Sequence, residues 1–169
     1  MKFGRVAALS GLAICAAGSV GFPCEARAQA APLAPKTRVI VLTDIEADPD
    51  DSQSLVRLLL YANELEIEGL IATTSTWQRG RVAPERIHRI LDAYGEVNAN
   101  LAMHDPDYPT ADALHALVKQ GPPTYGMTGV GDGQDSEGSE WIIRVLEEPD
   151  ERPVWVSGWG GPNTLAQAL

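Results

Sequence analysis

The chain has 169 residues, with 13 basic and 23 acidic side chains and a formal net charge of −10. That length allows one modest domain with a real core. The acidity argues against a nucleic-acid backbone or an anionic membrane surface as a partner.

Lys2 and Arg5 supply a basic start, and residues 6–20 form an apolar, Ala-rich run. Glu25 and Arg27 interrupt it, and small residues follow at Ala26, Ala28, Ala30 and Ala31. This is the three-part layout of a secretory signal peptide, with Ala28-Gln29-Ala30 as the cleavage site. Residues 1–30 are therefore read as a signal peptide, and the protein as secreted or periplasmic. The run is short for a membrane span, which needs about 20 residues, so no stable membrane insertion is expected after cleavage. Cys24 follows Gly21-Phe22-Pro23, a poor lipobox. Cleavage would remove both cysteines, Cys15 and Cys24, which excludes disulfides, thiolate metal sites and cysteine nucleophiles together. Residues 1–30 hold three of the 13 basic and one of the 23 acidic side chains, so the remainder carries 10 against 22, a net charge of −12. Cations and neutral sugars suit such a surface. Residues 31–37, with Pro32 and Pro35, read as a linker to a domain over 38–169.

Within that domain, Val39-Ile40-Val41-Leu42 is a continuous β-branched run, suited to a strand over 38–43 buried on both faces. Asp48-Pro49-Asp50-Asp51 reads as a turn into a helix, with carboxylates where the helix dipole favours negative charge. Leu55, Val56, Leu58, Leu59 and Ala62 form the apolar stripe of that helix. Residues 67–74 make a second buried strand, completing a βαβ unit. Pro84 opens the next helix at its first position, with Ile87, Ile90, Leu91 and Tyr94 at helical spacing. Residues 111–118 are expected as a short helix capped by Thr110, and 121–138 as a polar, glycine-rich loop. A helix is expected over 141–146 with Ser139 as its cap, then a third strand over 153–157. Gly158-Trp159-Gly160-Gly161-Pro162 leads tightly into a last helical turn, where the chain reads as a fragment. The expected fold is a three-layer α/β domain with a mainly parallel sheet, incomplete at its C-terminus.

The main chemical feature is Asp44-Ile45-Glu46-Ala47-Asp48-Pro49-Asp50-Asp51, five carboxylates in eight residues directly after a buried strand. In open α/β sheets, ligands bind beyond the carboxyl ends of strands. Crowded carboxylates repel one another, and a hard cation, Ca²⁺ before Mg²⁺, relieves that repulsion. A solvated helix cap is the plain alternative for Asp50 and Asp51. An EF-hand fails, because Pro49 stands where the glycine belongs and Leu55 where the closing Glu belongs. A phosphoryl-transfer aspartate of the haloacid-dehalogenase kind would use Asp44 and Glu46, in surroundings that fit poorly.

These residues resemble the nucleoside hydrolases, which open with a buried strand, an acidic loop ending in two aspartates, and a helix. Residues 67–74 resemble their second strand, and Gly161-Pro162-Asn163-Thr164 resembles their Gly-Pro-x-Thr segment. The similarity is closest to secreted bacterial cellulose-binding proteins with a nucleoside-hydrolase-like domain. It rests on Thr43-Asp44-Ile45, Asp48-Pro49-Asp50-Asp51, Ser136-Glu137-Gly138-Ser139 and Trp159-Gly160-Gly161. The resemblance implies a calcium-dependent hydrolase of N-ribosyl-like or sugar glycosidic bonds, in which an aspartate activates the attacking water. It makes Asp51 a bidentate Ca²⁺ ligand, Asp50 a grip on sugar hydroxyls, and Thr164 a ligand through its backbone carbonyl. The first aspartate, both ligand and catalytic base, is either Asp44 or Asp48; Asp44 is favoured because it sits at the strand end. Where the hydrolases carry a sugar-contacting asparagine, this chain has Ser75-Thr76-Trp77-Gln78, and their glycine before the aspartate pair is absent. A later aspartate ligand and a leaving-group histidine fall outside the chain, which implies an inactive fragment. The alternative is a non-catalytic carbohydrate (cellulose)-binding protein on the same fold, with Trp77 and Trp159 as sugar platforms.

Expected partners are therefore a small sugar, a nucleoside or a polysaccharide, and self-association into a homo-oligomer is allowed. His88 and His115 are read as surface or packing residues of helices, and His104 as a loop residue. Residues 129–135 lack the lysine and spacing of a phosphate loop and read as a flexible loop or a lid. Glu137 is a secondary site candidate. Of Trp155 and Trp159, one is expected in the core, with Trp159 beside the glycines facing a ligand.

Overall fold

The computed structural model describes residues 34–169. The expected signal peptide and the first three residues of the expected linker lie outside the described residues, and Thr37, the last linker position, already belongs to the first strand. Ten elements follow one another. Strand β1 is Thr37–Thr43, helix α1 Pro49–Leu59, strand β2 Leu65–Ala72 and helix α2 Pro84–His104. Helix α3 is Ala111–Ala116, strand β3 Val118–Gln120, helix α4 Glu137–Leu146, strand β4 Val154–Gly158 and helix α5 Asn163–Ala168, with a 3₁₀ turn at Gly126–Gly129 before α4.

The apolar runs of β1 and β2 pair in parallel, and the sheet order is β3-β2-β1-β4 with every pairing parallel. Alternation along β1 sends Val39 and Val41 to one face and Ile40 and Leu42 to the other. The first face is covered by Leu55 and Leu59 of α1, Ile87, Leu91 and Tyr94 of α2, and Leu114 of α3. The second is covered by Ile142 and Val145 of α4, with Leu165 and Ala168 of α5 against them. This is the expected three-layer α/β arrangement with a parallel sheet.

Four local readings change. Residue 118 begins strand β3, where a helix was expected over 111–118; three residues are too few to show a period, so Leu117 ends the helix with its N–H bonded back to Leu114 and His115. Helix α4 starts at Glu137 and is capped by Ser136, not Ser139. Ser139 is instead the third helical residue of a reciprocal capping box, its hydroxyl accepting the Ser136 N–H at 2.9 Å. Helix α2 continues to His104, which was expected in a loop. Val56 is half exposed, because the inward stripe of α1 runs through Asp51, Leu55 and Leu59 at four-residue spacing.

Candidate functional site at the strand ends

Strands β1 to β3 progress to one side of the sheet, whereas β4 lies on the other side of β1. The chain leaving β1 enters the helix layer on one face and the chain leaving β4 enters the other. The crevice between them is a topological switch point, where open α/β sheets place their ligands. Much of the buried polar inventory lies at this end: Thr43, Asp44, Asp51, Thr73, Thr74, Ser75, Gln78, Asn163 and Thr164.

Asp51 reaches the crevice because α1 begins where it does. Asp48 is the N-cap, its carboxylate accepting the Asp50 N–H at 3.3 Å, and Pro49 occupies the first turn. Asp51 then falls on the buried stripe, 7% exposed. The Thr43 hydroxyl donates to its Oδ2 at 2.5 Å, and the Asp51 N–H donates to Asp50 Oδ1 at 2.9 Å. Asp44, also 7% exposed, approaches the same carboxylate from the end of β1. Burial pushes the Asp51 carboxyl up to about 6, the Thr43 hydrogen bond pulls against it, and Asp44 and Asp50 push it further up. Among the described residues no Lys, Arg or His makes an ion pair with Asp44 or Asp51.

The remaining loop residues divide clearly. Glu46 adopts a left-handed backbone, φ 87°, and is clasped by Arg81 and Arg86, so its charge is spent on holding the loop against the start of α2. Asp48 is engaged as the cap, and Asp50 is exposed at the mouth of the crevice. The structure therefore brings Asp44, Asp50 and Asp51 together, with Asp48 one turn out.

The opposite wall is the β4–α5 connection. Trp159 and Gly160 donate their N–H groups to the Leu42 carbonyl at 2.7 and 3.2 Å, and Gly161 donates to Thr74 O at 2.8 Å. A Cβ at Gly160 would stand 2.7 Å from both Asp44 N and Thr73 Oγ1, and one at Gly161 2.5 Å from Thr74 O. The Trp159-Gly160-Gly161 sequence is thus the condition for this wall to close on Asp44. Asn163 pins the wall further, accepting from Thr74 Oγ1 at 3.3 Å and donating to Thr124 O at 3.0 Å.

Trp77 stands at the rim. The Ser75 hydroxyl accepts the N–H groups of Trp77 at 3.0 Å and Gln78 at 3.1 Å, a tight turn that leaves the indole 81% exposed. Gln78 ties this turn to the acidic loop through Ile45 O at 3.4 Å. Trp159 is half buried, its Nε1 donating to Ser157 Oγ at 3.1 Å, and it lines a groove of about 520 Å³ with Asp50. Trp155 is 64% exposed on β4, which is an edge strand among the described residues, whereas Trp159 packs against the main core, so Trp159 is the one of the two that joins it. Glu137 sits away from the crevice, paired with Lys119 at 3.3 Å. His88 and His115 share a 2.8 Å Nδ1···Nδ1 contact between α2 and α3, half buried, as packing residues.

Among the described residues no group of three or more His, Cys, Asp or Glu is arranged to hold a metal ion, and the one sign that bears on a hard cation is an unpaired hydroxyl. Thr73 Oγ1 and Thr164 Oγ1 are the buried side-chain oxygens without a hydrogen-bond partner among the described residues. Thr73 Oγ1 shares with Asp44 the space that Gly160 leaves open. Two hard carboxylates and an unsatisfied hydroxyl beside them are the oxygen chemistry that suits a hard cation. Thr43, Thr73 and Asn163 went unassigned as site residues in the sequence; for Thr43 and Thr73 the signal was the polar run at the end of each apolar strand.

The family model for the cellulose-binding Sde182, nucleoside hydrolase-like domain matches residues 38–169. The chain belongs to this family. A solved structure of a nucleoside hydrolase-related hypothetical protein from Saccharophagus degradans, associated with carbohydrate metabolism, is 46% identical with a TM-score of 0.77. The match covers 79% of this chain and 33% of that one, so this chain spans about a third of its solved relative. No curated protein matches the chain.

Proposed function

We propose that this chain is an exported carbohydrate-binding domain that keeps a calcium-holding acid pair in a hydrolase-type crevice. The observation that carries it is Trp77, 81% exposed, on a turn tied to the loop bearing Asp44 and Asp51. An indole face takes the apolar face of a sugar ring, while carboxylates and hydroxyls take its hydroxyl groups. The cellulose-binding description of the family and the carbohydrate association of the solved relative point the same way. Asp44 and Asp51 would hold Ca²⁺, with the Thr164 carbonyl as a further ligand and Asp50 at the sugar hydroxyls. When bound, the ion would neutralise the acid pair and orient hydroxyl groups.

A second reading, hydrolysis of a glycosidic bond, is favoured by the pairing of Asp44 with Asp51. Burial, with Asp44 and Asp50 beside it, raises the Asp51 carboxyl, the kind of perturbation that acid–base sites show. Asp44 would take the proton of the attacking water while Asp50 fixes the sugar hydroxyls, and the attack would break the bond from the anomeric carbon to the leaving group. Both readings are tested together by depletion of the chain onto insoluble cellulose in Ca²⁺, with release of reducing ends followed in the same tube. Retention without new reducing ends supports binding, and retention with them supports hydrolysis. A folded chain that stays in solution contradicts the proposal.

A further inference from the structure

Helix α3 is six residues long. A helix that short does not persist on propensity alone, so its place depends on what packs against it. Leu114 buries its inner side, and a pair of imidazoles joins it to α2. His88, in the second turn of α2, and His115, in the last turn of α3, bring their Nδ1 atoms to 2.8 Å. The ring centroids are 5.0 Å apart and the planes 16° from parallel. That separation is the Nδ1···Nδ1 distance plus about two ring radii, so the nitrogens point at each other along one line.

On that line one nitrogen must donate and the other accept. The contact therefore needs one proton, held by either ring. His115 Nε2 lies 3.3 Å from Asp92 Oδ1, so the carboxylate orients that ring and favours the charge when the ring carries it. With one Nδ1 proton the line is a hydrogen bond between α2 and α3. With both rings charged, two N–H groups meet head-on at a distance where like charges repel.

Histidine is the side chain whose charge ordinarily changes between about pH 5 and 8. The other charged groups nearby are carboxylates, a lysine and arginines, types that ordinarily hold one charge across that range. On α2, Glu85 and Asp92 lie one turn from His88, while Arg89 turns to the α1 side. On α3, Asp112 lies one turn before His115. Strand β3 brings Lys119, taken by Ala116 O at 2.8 Å and Glu137 at 3.3 Å. In β2, Glu66 and Glu68 are held by Arg152 and Arg38. The charged residues of α1 are Asp50, Asp51 and Arg57, and among the described residues none of them pairs with either ring. Asp51, raised to about 6, lies at the crevice.

What holds α3 also holds the chain beyond it. Leu117 passes directly into β3, and its carbonyl accepts the Leu70 N–H at 3.0 Å. Just past β3, Gly121 donates to Ala72 O at 2.9 Å and abuts Thr164 so closely that no Cβ would fit. Three residues of strand thus join α3 to the crevice wall.

We propose that His88 and His115 form a proton-operated latch: one shared proton ties α3 to α2, and a second opens it and loosens β3 and the wall at Gly121. The latch works whatever the crevice binds. The unfolded chain accepts both protons freely and the latched state accepts one, so latching weakens as pH falls through the imidazole range.

The test is hydrogen exchange of the full chain at about pH 7.5 and about pH 5, near the two ends of that range. Rates are corrected for the intrinsic pH dependence of exchange and compared with His88→Asn. The Asn amide can donate to His115 or accept from it but takes no proton, and Asp51 titrates alike in both chains. The latch predicts that protection of amides 113–120 falls roughly tenfold in the wild type at the lower pH, about the worth of one hydrogen bond. In His88→Asn it should stay within about twofold, the hydrogen bond being kept at both values. An equal fall in both chains, or none in the wild type, would overturn the latch. Nitrogen NMR of the wild-type imidazoles needs no variant: at the higher pH the two Nδ1 atoms should carry one proton between them. Two rings protonated at Nε2 alone would also overturn it.

Discussion

The two ends of the sheet treat buried charge in opposite ways. At the amino ends of the strands, Arg38 is 2% exposed and fully answered: Glu68 at 2.5 Å, Glu148 at 2.8 Å, and Val145 O at 3.3 Å. Arg152 beside it pairs with Glu66 and Asp150, both at 2.5 Å. At the carboxyl ends, Asp44 and Asp51 are almost as buried and face each other without a basic partner among the described residues. The first end is a finished structural network, in which every charge has its complement inside the fold. The second is left with excess negative charge and an unsatisfied hydroxyl, which is the condition of a site that expects something from outside.

The largest effect that would sharpen this contrast is at Arg38. Arg38→Met leaves Glu68 without its main partner, and urea unfolding should show a loss of about 3–5 kcal/mol; a near-neutral result would mean that the network is decorative. Gly160→Ala should come next, at about 1–3 kcal/mol, since the Asp44 backbone cannot yield to the new Cβ. The same variant should lose Ca²⁺ binding.

Asp51→Asn should go the other way. The folded carboxyl, near 6, lies above the value of about 3.9 expected in the unfolded chain. Between those values the folded state binds more protons than the unfolded state, so this group's contribution to stability falls as pH rises from about 4 through 6. In chelator at pH 7.5 the Asn variant should therefore be more stable than wild type, on the order of 1–3 kcal/mol. The gap should close toward pH 4. The smallest effect is that of Trp77→Ala, expected within about 0.5 kcal/mol in stability for so exposed a side chain, yet with weakened retention on cellulose. A variant that unfolds would place Trp77 in the structure instead of the site.

The finished end was the less legible of the two. Arg38 reads as an ordinary first residue of a strand, and its partners lie 30 and 110 positions away. Nothing local announces such a network. The site end was legible because its chemistry is local: an apolar run stops, and five carboxylates follow at once. What the sequence concealed there was the sorting of those five. Glu46 is claimed by Arg81 from the loop before α2 and Arg86 from its first turn, Asp48 by its own helix terminus, and only the helical phase of 51, 55 and 59 shows that Asp51 turns inward. Strand β3 was missed for want of length, and the α4 cap because Ser136 and Ser139 share a box in which either serine fits the pattern. Of the two tryptophans Trp159 packs against the core and Trp155 is exposed, an assignment the sequence leaves open because both stand beside the same short strand.

The central claim, that the opposed carboxylates of Asp44 and Asp51 form a cation site, is tested most directly by calorimetric titration of the chain with Ca²⁺ beside Asp51→Asn. The account predicts a single weak site in the wild type, on the order of 10⁻⁴–10⁻³ M for so few charged ligands, and no heat of binding in the variant. A folded wild-type chain that binds no Ca²⁺, or a variant that binds it equally well, would contradict it.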